Sequence, residues 1–88
     1  MKTLEKIRSI LAAECGVDPM DVALTSHLID DLGIDSLDLL NAAHRIERDL
    51  GVGIPMEQWL REEYGENAPA QSPFLVSSIC HHVDGQAG

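Results

Sequence analysis

Aromatic residues are nearly missing from this chain, which has one Trp, one Tyr and one Phe among 88 residues. Its core must therefore come mostly from Leu, Ile, Val and Ala, and a chain this short buries one modest core and not a second. Basic residues are also scarce. Six Lys and Arg stand against fifteen Asp and Glu, a formal charge of −9, and no Lys or Arg occurs between Arg8 and Arg45. Such a surface suits basic protein patches and is a poor match for nucleic acid or an anionic membrane. Long apolar runs are lacking, and MKTLEKIRSI mixes acids and bases, so the expectation is a cytoplasmic protein with no signal peptide and no membrane insertion. Cysteine is limited to Cys15 and Cys80, which fit neither a C-x-x-C motif nor a zinc-ligand spacing. They are expected as free thiols.

What is present is organised around residues 28–50, LIDDLGIDSLDLLNAAHRIERDL. An acidic loop ends at Gly33 and Ile34, and Asp35 then precedes a run with helical spacing. Asp caps a helix well because its carboxylate accepts from the free N–H groups of the first turn. Ser36 falls in that first turn, where unpaired donors and the positive end of the helix dipole favour a negatively charged substituent. A hydroxyl there suits attachment of a phosphate-linked group. Capping preference alone also explains an Asp-Ser pair at a helix start.

The rest of the chain reads as helices. Thr3 can cap a first helix running to about Glu14, with Leu4, Ile7, Ile10 and Leu11 as its stripe and Gly16 as its stop; Glu5, Lys6 and Arg8 are expected to face outward. VDPMDVALTSHLID is a long connection in which PMDVAL can make one helical turn. Val22, Leu24, Leu28 and Ile29 are the expected pins, and His27 is expected exposed and without special function. The second helix, Leu37 to about Leu50, places Leu39, Ala42, Ala43, Ile46 and Leu50 on one face. Leu37, Asn41, His44 and Arg48 lie on a different side. Pro55 fits the first position of a short third helix with Met56, Trp59, Leu60 and Tyr64 as its stripe, and ENAPAQSP is a polar loop. Ser72-Pro73 should open the last helix, with Leu75, Val76, Ile79, Cys80 and Val83 as its stripe and Phe74 near its start. The fold expected is an all-α four-helix bundle in one domain over residues 1–88, with a long loop after the first helix and a short third helix.

Catalytic and metal chemistry find little support. G-x-S-x-G is absent around Ser36, and His44 lies eight positions along the same helix, roughly 12 Å away by rise. No catalytic residue is assigned. His81-His82 are adjacent and so point in different directions, and Asp30, Asp31, Asp35 and Asp38 do not spell a calcium loop. No metal site is assigned. Repulsion among the carboxylates should loosen the fold.

The DLGIDSLDLL string, the acidic balance, the length and the GIPMEQW segment together resemble acyl carrier proteins, in register from about residue 4 to residue 84. The resemblance implies a four-helix carrier bundle in which Ser36 bears a covalent 4′-phosphopantetheine arm that holds acyl groups as thioesters. It implies that Asp35 assists the phosphopantetheinyl transferase that installs the arm. It also implies that the start and outer side of the second helix, with Leu37, Asp38, Asn41, His44 and Arg48, meet acyl-transferring and chain-elongating enzymes, the protein acting as a monomer. Within the family, IDDLGIDSLDLL, GIPMEQW and FLVSSICHHVD are most similar to the specialised carriers of very long acyl chains for lipid A. A housekeeping fatty-acid carrier, a polyketide carrier, and a helical interaction module without a prosthetic group remain open alternatives. The chain departs from the nearly continuous acidic stripe of housekeeping carriers, because Arg45 and Arg48 occupy the back half of the second helix.

Overall fold

The computed structural model describes residues 2–65 and 72–87. Four helices follow in order: α1 Lys2–Cys15, α2 Ser36–Leu50, α3 Met56–Tyr64 and α4 Val76–Ala87, with a 3-10 turn at Pro19–Asp21 in the long connection between α1 and α2. The all-α architecture with a short third helix is the one the periodicity predicts. On α1, Ile7, Ile10 and Leu11 are buried, and on α2 so are Leu39, Ala42, Ala43 and Ile46. Leu4 and Leu50 pack half-buried beside them. Both helices end on a glycine with a φ of 70°, where a Cβ would be strained, and Gly16 and Gly51 donate their N–H groups to the carbonyls of Ala12 and Glu47.

The long connection is fastened differently from expectation. Val22 and Leu28 are buried, with Ile34 beside them, but Leu24 is 39% exposed. Its contribution is the backbone carbonyl, which accepts from Ser77 N–H at 2.9 Å, while the Ser26 carbonyl accepts from Val76 N–H at 2.9 Å and the Phe74 carbonyl from Leu28 N–H at 3.0 Å. The bonds from Ser77 and Val76 satisfy first-turn donors of α4, and all three flank an isolated bridge between His27 and Leu75. They also explain why α4 starts at Val76 rather than at Ser72-Pro73. Ser72 caps a turn instead, its hydroxyl accepting from Phe74 N–H at 3.1 Å. Arg8 does not simply face water, since its Nε donates to the Val22 carbonyl at 2.8 Å and holds the loop against α1.

His27 is a correction of the same kind. Rather than exposed, it is buried, with 8% of its surface accessible. Its Nδ1 accepts from the N–H groups of both Ile29 and Asp30, at 3.1 and 3.0 Å, so the ring caps the turn that follows it.

On α3, Pro55 stands at the cap, one position before the first helical residue, and offers no side-chain bond. Trp59 is buried and Met56 and Leu60 are half-buried, but Tyr64 is 67% exposed, so the stripe ends a turn early. The Trp59 ring meets Phe74 edge-on at 6.2 Å and His82 at 5.1 Å, and His82 Nε2 donates to the Gly53 carbonyl at 2.8 Å. Two of the three aromatic residues, Trp59 and Phe74, thus meet where α3 faces the segment leading into α4. Most of the loop expected at 66–73 lies outside the described residues.

Candidate functional site

The start of α2 is set by the residues before it. Ile34 is buried and its N–H donates to the Leu28 carbonyl at 3.0 Å, which fixes where the chain turns into the helix. Asp35 is extended at φ −80°, ψ 169°, and its carboxylate accepts from Asp38 N–H at 2.8 Å while its carbonyl accepts from Leu39 N–H at 3.0 Å. Asp35 is therefore the N-cap, and Ser36 the first helical residue. Ser36 is exposed, and no group among the described residues hydrogen-bonds its hydroxyl. Around it, Leu37 is 66% exposed and Leu40 41% exposed. Asn41, His44 and Arg48 are exposed and Asp38 is half-buried. Leu40 was not singled out from the sequence. The available signal was its spacing, three positions from Leu37, which puts both on one side of a helix.

Residues 5–63 match the family described as the phosphopantetheine attachment site. The acyl carrier protein AcpXL of Brucella melitensis is 37% identical over 82 residues, covering 93% of this chain and 88% of the relative. The AcpXL proteins of Rhizobium meliloti and Rhizobium etli are 35% and 34% identical over 93% of this chain, and 86% and 89% of their own lengths. The chain belongs to the acyl carrier protein family. Proteins of this family are carriers that work with acyl-handling enzymes, and phosphopantetheine is their cofactor.

The residues at the start of α2 fit a phosphodiester-linked arm. A fifteen-residue helix presents its N-terminal dipole there, which favours a phosphate by about 0.3–1 kcal/mol at an exposed site. The carboxylates of Asp35 and Asp38 oppose it, but Asp35 is already turned onto the Asp38 N–H. The Ser36 hydroxyl is open to solvent.

Burial and the acids crowded at this end act together on Cys15. Burial first, and then the carboxylates of Asp38, Glu14 and Asp35, push its thiol up from 9.0 to about 11. Its Sγ donates to the Asp38 carbonyl at 3.5 Å. The protonated thiol is the form the fold prefers, so this contribution to stability is complete below pH 9 and is lost as pH rises to about 11. Cys80, buried in α4, is pushed up as well, by burial and then by Asp84. Cys15 should hold about a hundredfold less thiolate at neutral pH than an ordinary cysteine, and alkylate correspondingly slowly in the unmodified carrier. Iodoacetamide labelling followed by mass spectrometry checks this; labelling at the rate of a free cysteine would contradict it.

The same crowding predicts a salt response. With −9 carried by 88 residues, sodium chloride or magnesium should raise the melting temperature. Screening worth about 1 kcal/mol would shift it by about 4–8 °C at this size. A melting temperature indifferent to both salts would contradict it.

The arginines of α2 are largely committed. Arg45 bonds Asp49 through Nε and Glu14 through a terminal nitrogen, each at 3.1 Å, tying α2 to α1. Arg48 Nε reaches the other oxygen of Asp49 at 3.2 Å, though its side chain stays 73% exposed. Hydrogen bonds from Arg45 and then Arg48 hold the Asp49 carboxyl below the usual range.

One further cluster has the composition of a metal site: His27, Asp30 and Glu63. A ligating histidine donates from its other ring nitrogen. In His27 that nitrogen, Nδ1, accepts two backbone N–H bonds, which leaves the proton on Nε2, facing Glu63 at 3.1 Å. The donor set fits hydrogen bonding rather than metal ligation.

Proposed function

We propose that this protein carries acyl groups on a 4′-phosphopantetheine arm attached to Ser36, and that its cargo is the long acyl chain destined for lipid A. The observation that carries the reading is the Ser36 hydroxyl at the first position of α2, exposed and unbonded among the described residues, in a chain 34–37% identical to AcpXL carriers. The arm supplies a thiol that holds acyl groups as thioesters. The protein's own residues contribute no catalysis: Ser36 anchors, Asp35 caps the helix and offers an exposed carboxylate to the magnesium of the phosphopantetheinyl transferase, and the bundle shelters the chain. Leu37, Asp38, Asn41, His44 and Arg48, joined by Leu40, form the side of α2 that acyltransferases and elongating enzymes grip. An apolar pair flanked by charges suits brief docking, in which rim charges set encounter rate and partner choice more than affinity. Residues 1–88 act as one carrier domain, a cytoplasmic monomer.

The test is the intact mass of the purified chain after incubation with coenzyme A and a broad-specificity phosphopantetheinyl transferase. One phosphopantetheine per chain is expected. An unchanged mass, with a known carrier modified in the same reaction, would leave a helical interaction module as the better reading.

A further inference from the structure

The apolar centre of the bundle is closed. A cavity of about 10 Å³ lies among Leu39, Ala43, Ile46, Ile54, Trp59 and Phe74, hardly room for one water, so an alkyl chain can lodge there only if a wall moves. Three walls are tied together. Arg45 joins α2 to Glu14 of α1, Thr3 of α1 bonds Asp84 of α4, and the carbonyls of Leu24 and Ser26 hold the start of α4. The fourth wall is α3, whose cap residue, Pro55, offers no side-chain hydrogen bond. Among the described residues, Glu63 makes the side-chain hydrogen bonds that tie α3 to other segments. Its carboxylate accepts from Nε2 of His27 at 3.1 Å and, through its other oxygen, from the hydroxyl of Ser72. Ser72 Oγ also lies 3.2 Å from His27 Nε2. The His27 and Glu63 side chains are only 10% and 18% exposed, so these bonds are sheltered from water.

We propose that Glu63, His27 and Ser72 form a latch that holds α3 shut over the apolar centre, and that release of this cluster sets how readily the bundle admits an acyl chain. The inference rests on the carrier reading above for its cargo, and on the geometry alone for the latch. His27 is the fixed half, because two backbone N–H groups hold its ring in place, and Glu63 is the half that leaves with the helix. Hydrogen bonds to a charged acceptor in a sheltered site are strong enough to govern local opening without governing the whole fold.

The test has two arms. In the unmodified chain, amide hydrogen exchange is followed helix by helix for wild type, Glu63→Ala and Glu63→Gln. Glu63→Ala should accelerate exchange in the last turns of α3 about ten- to hundredfold while α1 and α2 keep their wild-type rates. Glu63→Gln should fall between wild type and Glu63→Ala, since its carbonyl still accepts from His27 Nε2 and its amide can donate to Ser72 Oγ, but without the charge. Equal acceleration in all helices, or none in α3, would overturn the latch; if Glu63→Ala does not fold, Ser72→Ala is read by the same criteria. In the second arm, wild type and Glu63→Ala are loaded from butyryl- and dodecanoyl-coenzyme A, and emission of Trp59, the single tryptophan, is recorded. The dodecanoyl chain should perturb Trp59 more in Glu63→Ala than in wild type, and the butyryl chain should perturb neither. Identical responses of the two proteins to dodecanoyl would also overturn the proposal. If mass spectrometry shows that neither protein accepts the arm, the carrier reading fails and the exchange arm alone decides the latch.

Discussion

Ser36→Ala is expected to accept no phosphopantetheine, against one equivalent for the wild type, and to keep its helix content and melting temperature nearly unchanged. The loss should be total because the other described serines lack this setting. Ser9 lies in the middle of α1, and Ser26 is engaged with Ala23 N–H at 3.0 Å and the Asp21 carbonyl at 3.2 Å. Ser72 belongs to the Glu63 cluster, and Ser77 and Ser78 are half-buried on α4. The fold should survive because Ser36 makes no hydrogen bond among the described residues, and the capping is done by Asp35, 2.8 Å from Asp38 N–H. Alanine is the best helix former, so the substitution should be neutral or slightly stabilising. Intact mass after the transferase reaction reads the first outcome, and circular dichroism with thermal melting reads the second. Persistent labelling of the alanine variant would move the attachment point elsewhere. A collapse of the helical signal would make the lost labelling uninformative about Ser36, and Ser36→Thr, which retains a hydroxyl, would then separate the two effects.

The start of α2 was legible in the sequence because the cap and the helical spacing that build it are local. Asp35 caps, Ser36 follows, and Leu37 and Asn41 fall off the buried stripe by helical spacing alone. The same holds for the buried faces of α1 and α2, where the 3.6-residue repeat gave the right residues. The sequence misled wherever a partner beyond the local segment decides. His27 reads as a loop histidine until Leu75 pairs beside it and Glu63 meets its ring. Ser72-Pro73 reads as a helix start until the carbonyls of Ser26 and Leu24 supply a better set of acceptors for the donors at Val76 and Ser77. Arg8 looks like a solvated charge, and the loop carbonyl of Val22 claims it. Periodicity reports which face of a helix is apolar. It carries no record of which distant backbone groups lack a partner, and in this bundle those groups decide where α4 begins and how the long loop is held.

Phe74→Ala should bring the largest loss of stability. Phe74 has no accessible surface, packs edge-on against Trp59 at 6.2 Å and lies 6.3 Å from the ring of His27. Its backbone accepts from Leu28 N–H and donates to Ser72 Oγ, so the side chain sits where the long loop, α3 and the start of α4 converge. Truncating a buried phenylalanine removes its transfer energy and leaves a void, together about 3–5 kcal/mol. A chain of this size has a total stability of roughly 4–13 kcal/mol at the usual value per residue. The loss is thus a large share of the whole, and the melting temperature should fall by more than about 12 °C. Phe74→Leu, which keeps most of the volume, should cost less than about 2 kcal/mol. Urea denaturation followed by Trp59 emission measures both, with magnesium present to relieve charge repulsion and keep the variants folded at the start of the titration. A drop below about 1 kcal/mol for Phe74→Ala would mean that α3 and α4 close over the gap, and that the apolar centre is far more compliant than its packing implies. The two variants also bear on cargo. A loaded chain that enters the centre would fill the void left by alanine, so the difference between alanine and wild type should shrink on loading with dodecanoyl. A difference unchanged by loading would place the acyl chain outside the bundle.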